Sequence, residues 1–260
     1  MQKTAIALSL SIATAAILLG CKNPDNNMVA KTNSTYAVVV GMEQSRLAGA
    51  CPGAGYDAAR MKTLLSQYTS NISYLRDANA TKTAVASALR NAVAKAGSGL
   101  VVFYYSGHGG SDPFPNTGAE EVDGKDEYLC LYDTYMKDNE VWEIIKTCRG
   151  RFFLLVDACH SETMWRSPGF RVVPPLSYDH EMGGEYPFSM LCWSGCPDSD
   201  YSYGSAAGGQ FTNALLRHFA ANKTYEYLWN EIKNDRVLRA AENPQSTAIG
   251  DGFTGKPMFR

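Results

Sequence analysis

Short apolar runs recur along the chain, separated by stretches with a different periodicity. Four runs lie at residues 36–42, 100–105, 152–156 and 188–193, and a more mixed extended segment lies at 71–76. The runs are short, nearly continuous and rich in β-branched and aromatic residues, as expected for strands covered on both faces. The sequence therefore predicts five strands, most of them fully buried.

The stretches between these runs repeat their apolar residues every three or four positions, as amphipathic helices do. Helices are predicted at residues 57–68, 81–96, 139–148, 211–221 and 225–241. Thr81 is a candidate N-cap, and the tail at 245–260 is predicted to be irregular. Because helices alternate with strands, the pattern predicts an α/β layered fold with a mostly parallel central sheet flanked by helices.

The first 35 residues are expected to lie outside this layered domain. A basic start precedes an apolar run at residues 4–19, which is short for a bilayer span and typical of a secretory signal peptide. Leu18-Leu19-Gly20-Cys21 resembles a bacterial lipobox, which implies cleavage before Cys21 and lipid attachment to it; the alternative is an ordinary signal peptide with a chance cysteine. The expected parts are a lipoprotein signal peptide at 1–20, a lipid-anchored flexible tether at 21–35 and one domain at 36–260.

Composition narrows the classes of function. The 260 residues are 45% hydrophobic and 19% charged, which is typical of a globular protein. The formal net charge of -2, with no Lys/Arg-rich cluster, gives no indication of nucleic-acid binding. Seven cysteines leave at least one unpaired in a monomer, and export implies a compartment where disulfides can form. We expect an exported monomer anchored to a membrane, at the periplasmic face or the cell surface.

Two predicted strands end in reactive side chains. VVFYY is followed by SGHGG, which carries His108, and FFLLV is followed by DACHS, which carries Cys159. If these strands are parallel neighbours, both residues lie at the sheet edge where α/β folds bind ligands. An imidazole can activate a thiol and then protonate a leaving amine, and the N–H groups of Gly109 and Cys159 could form an oxyanion hole. The pairing predicts nucleophilic catalysis, although either residue alone would more often be structural.

The two motifs also carry a family resemblance. SGHG at 106–109 and DACHS at 157–161 resemble the signature motifs of metacaspases, within the caspase-like cysteine peptidases. Their separation of about 50 residues is close to that of caspases. Supporting similarity lies at residues 124–130, 194–198 and 209–216. The resemblance implies a caspase-like fold over the domain at 36–260, a His108–Cys159 dyad and cleavage after Arg or Lys.

Two aspartates are expected to select the basic residue. Asp157 stands two residues before the nucleophile, where a carboxylate could bind a guanidinium in bidentate fashion. Asp57 matches the second pocket aspartate of the family, although five residues separate it from Cys51 where the family usually has two. Its alternative is a helix N-cap. Further expected lining residues are Ser106, Trp193 and Ser194, with a plain core position as the alternative for the tryptophan.

Calcium is the one cofactor that the resemblance raises. Matching the family's acidic site gives Asp126, Asp138 and Asn139, whose oxygens suit a hard cation. Asn139 stands where an acid is usual, and Arg166 replaces another expected ligand, so we expect no required cofactor and weak or absent calcium dependence. A solvated acidic loop is the alternative. Because residues 163–185 contain two arginines, self-cleavage there is a further hypothesis.

Two other functions remain open beside an Arg/Lys-specific cysteine endopeptidase acting on proteins or peptides. One is a catalytically weak, caspase-like surface module for binding or sensing, which an absence of labelling by a thiol-reactive arginyl probe would favour. The other is a clostripain- or gingipain-like peptidase with the same dyad and specificity. The motifs that surround the two catalytic residues favour the metacaspase prediction.

Overall fold

The computed structural model describes residues 34–111, 127–162, 164, 186–197, 202 and 204–259. Its strands are β1 Thr35–Gly41, β2 Gln44–Ser45, β3 Gly49–Ala50, β4 Ile72–Arg76, β5 Leu100–Ser106, β6 Gly109–Ser111, β7 Glu127–Cys130, β8 Tyr135–Lys137, β9 Arg151–Asp157, β10 Ser189–Ser194, β11 Gly204–Ser205, β12 Gly208–Gly209 and β13 Gln245–Ile249. Its helices are α1 Ala54–Leu65, α2 Lys82–Ala96, α3 Asp138–Ile145, α4 Gln210–His218, α5 Tyr225–Lys233 and α6 Arg236–Arg239, with a 3-10 turn at Asp77–Asn79.

Six strands form the central sheet in the order β13-β10-β9-β5-β1-β4. The five strands from β10 to β4 run parallel, and β13 alone in this sheet is antiparallel to its neighbour. The prediction of an α/β fold with a mostly parallel sheet is therefore confirmed. Parallel strands place their carboxyl ends at one edge, so the segments that follow β5 and β9 begin side by side.

Both faces of this sheet are covered by helices. Val38 and Val40 of β1 pack into a core with α2 and α3, whereas Ala37 and Val39 pack into a second core with α1, α4 and α5. Because successive side chains point to opposite faces, a strand buried on both sides must be apolar at every position. This explains why the runs in the sequence are continuous rather than alternating.

The C-terminal part of the chain differs from the prediction in two ways. The helix predicted at 225–241 is broken, because Asp235 caps α6 by accepting hydrogen bonds from the N–H groups of Val237 and Leu238, at 3.0 Å each. The tail predicted to be irregular contains β13, which pairs with β10 at the sheet edge. Its sequence QSTAI has no apolar run, since an edge strand needs only part of its surface buried.

A second, three-stranded antiparallel sheet of β6, β7 and β8 was not predicted. It begins directly after His108, so the catalytic-motif glycines enter a strand rather than an open loop. Of the predicted signal peptide and tether at 1–35, residues 1–33 lie outside the described residues, as do residues 165–185 and Thr163. Within the described ranges, no helix combines the length and the apolar composition needed to span a bilayer.

Candidate active site

The register between β5 and β9 brings His108 and Cys159 together. Ser106 at the end of β5 pairs with Asp157 at the end of β9. His108 and Cys159 each lie two residues beyond these strand ends. Both side chains line one cavity of about 280 Å³, together with Asp57 and Asp157. The structure thus gathers the predicted dyad and both predicted pocket aspartates at the carboxyl edge of the sheet.

The imidazole of His108 is oriented by a backbone carbonyl. Its Nε2 lies 2.9 Å from the carbonyl oxygen of Ala50, in β3. A carbonyl can only accept, so Nε2 must carry the proton in this contact. A neutral ring then leaves Nδ1 as the free acceptor, which is the form that a general base requires.

Cys159 sits at a tight turn immediately after β9. His160, the next residue, has a φ of 51°, a left-handed conformation that costs a non-glycine residue roughly 1–2 kcal/mol. The Cys159 thiol points toward the carbonyl oxygen of Ser202, with Sγ 3.7 Å away. Burial raises the pKa of Cys159, and the carboxylates of Glu242 and Asp157 raise this pKa further. These effects favour the neutral thiol over the thiolate.

The N–H group of Gly109 points away from the small sheet. Gly109 lies opposite Leu129, and the N–H of Cys130 donates to the carbonyl of His108 at 2.9 Å. This pattern makes Gly109 and Leu129 a non-hydrogen-bonded pair of the ladder, so the Gly109 N–H is not used by β7. A Cβ at Gly109 would lie 2.3 Å from the carbonyl oxygen of Cys159, so glycine is needed for this close approach.

Asp57 is buried in the cavity wall with 1% exposure. It is not an N-cap, because Gly53 occupies that position and Asp57 lies within α1. Its Oδ2 accepts hydrogen bonds from Gly209 N at 2.8 Å and from the Ser106 hydroxyl at 3.2 Å, and its Oδ1 accepts one from Arg60 Nη2 at 2.5 Å. Ser106 thus lines the pocket as predicted and directly contacts an acid.

Asp157 is held by neutral donors. Its Oδ2 accepts hydrogen bonds from the N–H and the hydroxyl of Thr212, at 2.9 and 2.6 Å. Ser202 Oγ lies 2.8 Å from Oδ1 of Asp157 and 3.1 Å from Oε1 of Glu242. Burial raises the pKa of Asp157, and the hydrogen bonds from Thr212 and Ser202 act in the opposite direction.

The start of helix α4 serves both acids. Gly209 is its N-cap and donates to Asp57, while Thr212 in its first turn donates to Asp157. The first turn of α4 contains no acid of its own. The N-terminus of a helix carries unpaired N–H groups and a partial positive charge, so these two carboxylates satisfy it from outside the helix.

The other predicted lining residues lie away from the cavity. Trp193 is fully buried, and its ring packs edge-on against Phe153 with centroids 4.9 Å apart, which is the core position given as its alternative. Ser194 is also buried, and its hydroxyl contacts the carbonyl oxygen of Cys196 at 3.3 Å. In the described residues, neither side chain lines the pocket.

The predicted calcium ligands are only partly described. Asp126 lies outside the described residues. Asp138 is the first residue of α3 and fully buried, and its Oδ1 accepts a hydrogen bond from the N–H of Asn139 at 2.7 Å. Within the described ranges, no cluster of three or more His, Cys, Asp or Glu residues could hold a metal ion. Weak calcium dependence therefore stays a prediction.

Sequence reasoning missed several residues that complete the site. Arg60 could have been found, because it is one helical turn after Asp57, where an acid and a base attract each other. The others contact the site from distant segments that carry no periodic signal; they are Ala50, Ser202 and Glu242. Thr212 belongs to a stretch noted for its resemblance, but its hydrogen bonds to Asp157 depend on the tertiary fold.

Comparison with known proteins agrees with this architecture. Residues 34–248 match the family model of peptidase family C14, the caspase domain. This chain belongs to the caspase-domain peptidases. Metacaspase-1 from Cryptococcus neoformans var. neoformans serotype D (strain B-3501A) is 24% identical over 212 residues, which cover 56% of this chain and 45% of that protein. The chain thus spans less than half of the length of this relative.

Two crystal structures share the fold of this chain. A structural-genomics target from Geobacter sulfurreducens has a TM-score of 0.67 at 23% identity, and the match covers 86% of this chain and 98% of that one. Caspase-1 from Spodoptera frugiperda has a TM-score of 0.52 at 14% identity, covering 90% and 95%. The predicted metacaspase or caspase-like peptidase family is confirmed.

Proposed function

We propose that this caspase-domain peptidase cleaves peptide bonds after Arg or Lys, with Cys159 as nucleophile and His108 as its acid–base partner. The observation that carries the specificity is the presence of two buried carboxylates, Asp57 and Asp157, in the cavity that also holds the dyad. Buried acids of this kind need a cation to offset their charge, and a basic side chain of the substrate supplies one.

A count of acceptor sites suggests how the cation binds. An ionised carboxylate has about four acceptor positions. Asp57 uses two on Oδ2 and one on Oδ1, and Asp157 likewise accepts two hydrogen bonds on Oδ2 and one on Oδ1. About one position therefore remains on the Oδ1 of each. We infer that a guanidinium or ammonium bridges the two aspartates, with one contact to each, rather than making both contacts of a bidentate pair with Asp157.

The remaining groups fit acyl transfer. In the proposed reaction, His108 Nδ1 accepts the proton of the Cys159 thiol as sulfur attacks the substrate carbonyl carbon. The N–H groups of Gly109 and Cys159 donate to the resulting oxyanion, and the imidazolium then protonates the departing amine. A water molecule deprotonated by His108 hydrolyses the thioester, releasing the new carboxyl end and restoring the thiol.

The same proposal has parts that concern location and regulation. We propose lipid anchoring of an exported monomer through Cys21, self-processing within residues 163–185 and little need for calcium. The substrates are proteins or peptides with an accessible Arg or Lys. Lipid anchoring is supported by the lipobox-like motif at 18–21, and self-processing by the two arginines at 163–185 together with the proposed specificity.

The decisive experiment is a positional-scanning library of peptide amides, assayed with and without calcium. We expect cleavage after Arg and Lys, similar rates under both conditions, and a loss on the order of 10⁴-fold or more in Cys159→Ala. Cys148→Ala is the matched control, because Cys148 is buried in the core packed against α2 and α3. Cleavage after Asp, or activity that survives Cys159→Ala, would refute the proposal.

A further inference from the structure

Arg60 is a partly exposed cation whose guanidinium contacts a carboxylate in the wall of the buried pocket. Arg60 lies one turn after Asp57 on α1, and its Nη2 approaches Oδ1 of Asp57 to 2.5 Å. The Arg60 side chain is 25% exposed, whereas that of Asp57 is 1% exposed. Its guanidinium carbon lies 4.4 Å from the ring centroid of the exposed Tyr56, which supports the guanidinium from outside.

The arginine approaches Asp57 without entering the cavity. Arg60 is not among the residues that line the cavity, whereas Asp57 is. A Cβ placed on Gly208 would lie 2.2 Å from Oδ1 of Asp57 and 2.4 Å from Nη2 of Arg60. The ion pair therefore passes over a glycine in β12 that leaves room for it. Arg60 neutralises charge from behind the pocket and leaves the substrate's side open.

The groups that face Asp57 come from several elements. Asp157 faces it from β9, Tyr104 and Ser106 from β5, and Cys51 from the segment before α1. The pKa of Asp57 is raised to about 6, mainly by burial and then by the charge of Asp157, while the hydrogen bonds from Gly209 and Arg60 lower it. Arg60 also lowers the pKa of Asp157. Among these charged neighbours Arg60 is the cation, and it acts on both acids.

We propose that Arg60 is a positioning residue of the pocket, whose guanidinium allows two neighbouring buried carboxylates to stay ionised together. Two like charges in one pocket cannot both ionise near neutral pH without a compensating positive charge. Arg60 provides that charge before the substrate arrives. This inference rests on the proposed function for its effect on catalysis, but its effect on the ionisation of Asp57 can be measured in the protein without substrate.

The first test is a titration of the empty protein and needs no substrate. The Asp57 carboxyl is followed by ¹³C NMR in Cys159→Ala and in the same protein with Arg60→Gln or Arg60→Lys. We expect the pKa of Asp57 to rise by about one unit or more in Arg60→Gln, since an opposite charge shifts a neighbour by about 1–3 units. Arg60→Lys should largely restore it. An unchanged Asp57 titration in Arg60→Gln would overturn the inference.

The second test is kinetic. With a peptide amide carrying Arg before the bond, the acid limb of the kcat/KM profile should move upward by about one pH unit in Arg60→Gln. The loss should appear as a higher KM, about threefold near pH 6.5 and approaching tenfold below about pH 5.5, with recovery at alkaline pH and little change in kcat. Arg90→Gln, on the exposed part of α2, is the control. A loss in Arg60→Gln that is independent of pH would contradict the inference by indicating a structural role.

The two tests separate the inference from the proposed function. If the wild-type protein fails to cleave after Arg and Lys while the titration shows the expected shift, the specificity is wrong and the role of Arg60 stands. If cleavage is as proposed and the titration does not change, the role of Arg60 is wrong. If the pKa of Asp57 rises in Arg60→Gln but not in Arg60→Lys, misfolding is also excluded as the cause of the rise.

Discussion

Asp57 and Asp157 share one cavity, yet they are stabilised in different ways. Asp57 lies on helix α1 and pairs with the guanidinium of Arg60, whose side chain is partly exposed. Asp157 ends a central strand and receives its hydrogen bonds from the uncharged donors of Thr212 and Ser202. The comparison shows that two buried carboxylates in one pocket can be stabilised by different means. Asp57 has a counterion within the protein, whereas Asp157 has only uncharged donors close to it among the described residues.

In the proposed function, Asp157 therefore contributes more than Asp57 to binding the basic side chain of the substrate. The charge of Asp57 is already offset by Arg60 at 2.5 Å, so a bound basic side chain gains less from it. The charge of Asp157 is uncompensated by any comparably close cation among the described residues. An incoming guanidinium would meet a buried carboxylate, and charges interact more strongly away from bulk solvent.

The largest effect is expected from removing the charge of Asp157. In Asp157→Asn, kcat/KM for an arginyl peptide should fall about 10³-fold, because truncating one member of a buried charge pair costs about 2–5 kcal/mol. In Asp57→Asn the loss should be about tenfold. Steady-state kinetics measures both, and thermal unfolding followed by circular dichroism checks that each variant is folded. A larger loss in Asp57→Asn than in Asp157→Asn would reverse the comparison.

A smaller effect is expected from adding a methyl group beside Asp57. Gly208 has a φ of 98°, and its added Cβ would press on Asp57 and Arg60, so Gly208→Ala should lower kcat/KM about 10- to 100-fold by displacing a positioned group. Gly97 has a φ of 56° and nothing within 4 Å of an added Cβ. Gly97→Ala therefore carries similar backbone strain without the contact. Equal loss of activity in the two variants would show that strain alone is responsible.

The smallest effect is expected from removing one neutral donor. Thr212→Val deletes the hydroxyl that lowers the pKa of Asp157, so this pKa should rise further. Protonated Asp157 carries no charge, so activity on arginyl peptides should be lost at a higher pH than in the wild type as the pH falls. The kcat/KM profile between about pH 5 and 8 measures the shift. Thr212→Ser keeps the hydroxyl and should leave the acid limb unchanged.

The sequence was informative where local pattern and topology agree. The apolar runs before His108 and Cys159 predicted two buried strands, and their parallel pairing then fixed the relative position of the two side chains. Asp57 and Ser106 were found through their resemblance to a known motif. In each case a short stretch of sequence was enough for the prediction. The regular spacing of parallel strands then placed His108 and Cys159 close to each other.

The sequence was uninformative where residues meet through the tertiary fold. The N–H groups at Gly209 and Thr212 reach two aspartates because α4 begins against the sheet edge, and no periodicity encodes that contact. Asp235 was read as part of a helix because its neighbours have helical spacing, although its side chain ends one helix by capping the next. The edge strand β13 was missed because only Thr247 and Ile249 of its residues are buried.

The pocket acids also affect the nucleophile. Burial raises the pKa of Cys159 most, and the carboxylates of Glu242 and Asp157 raise it further, which favours the unreactive thiol over the thiolate. A cation bound to Asp157 would offset part of that field and favour the thiolate. Under the proposed function, the basic side chain that fills the pocket would therefore also favour the reactive form of the nucleophile, which couples specificity to activation.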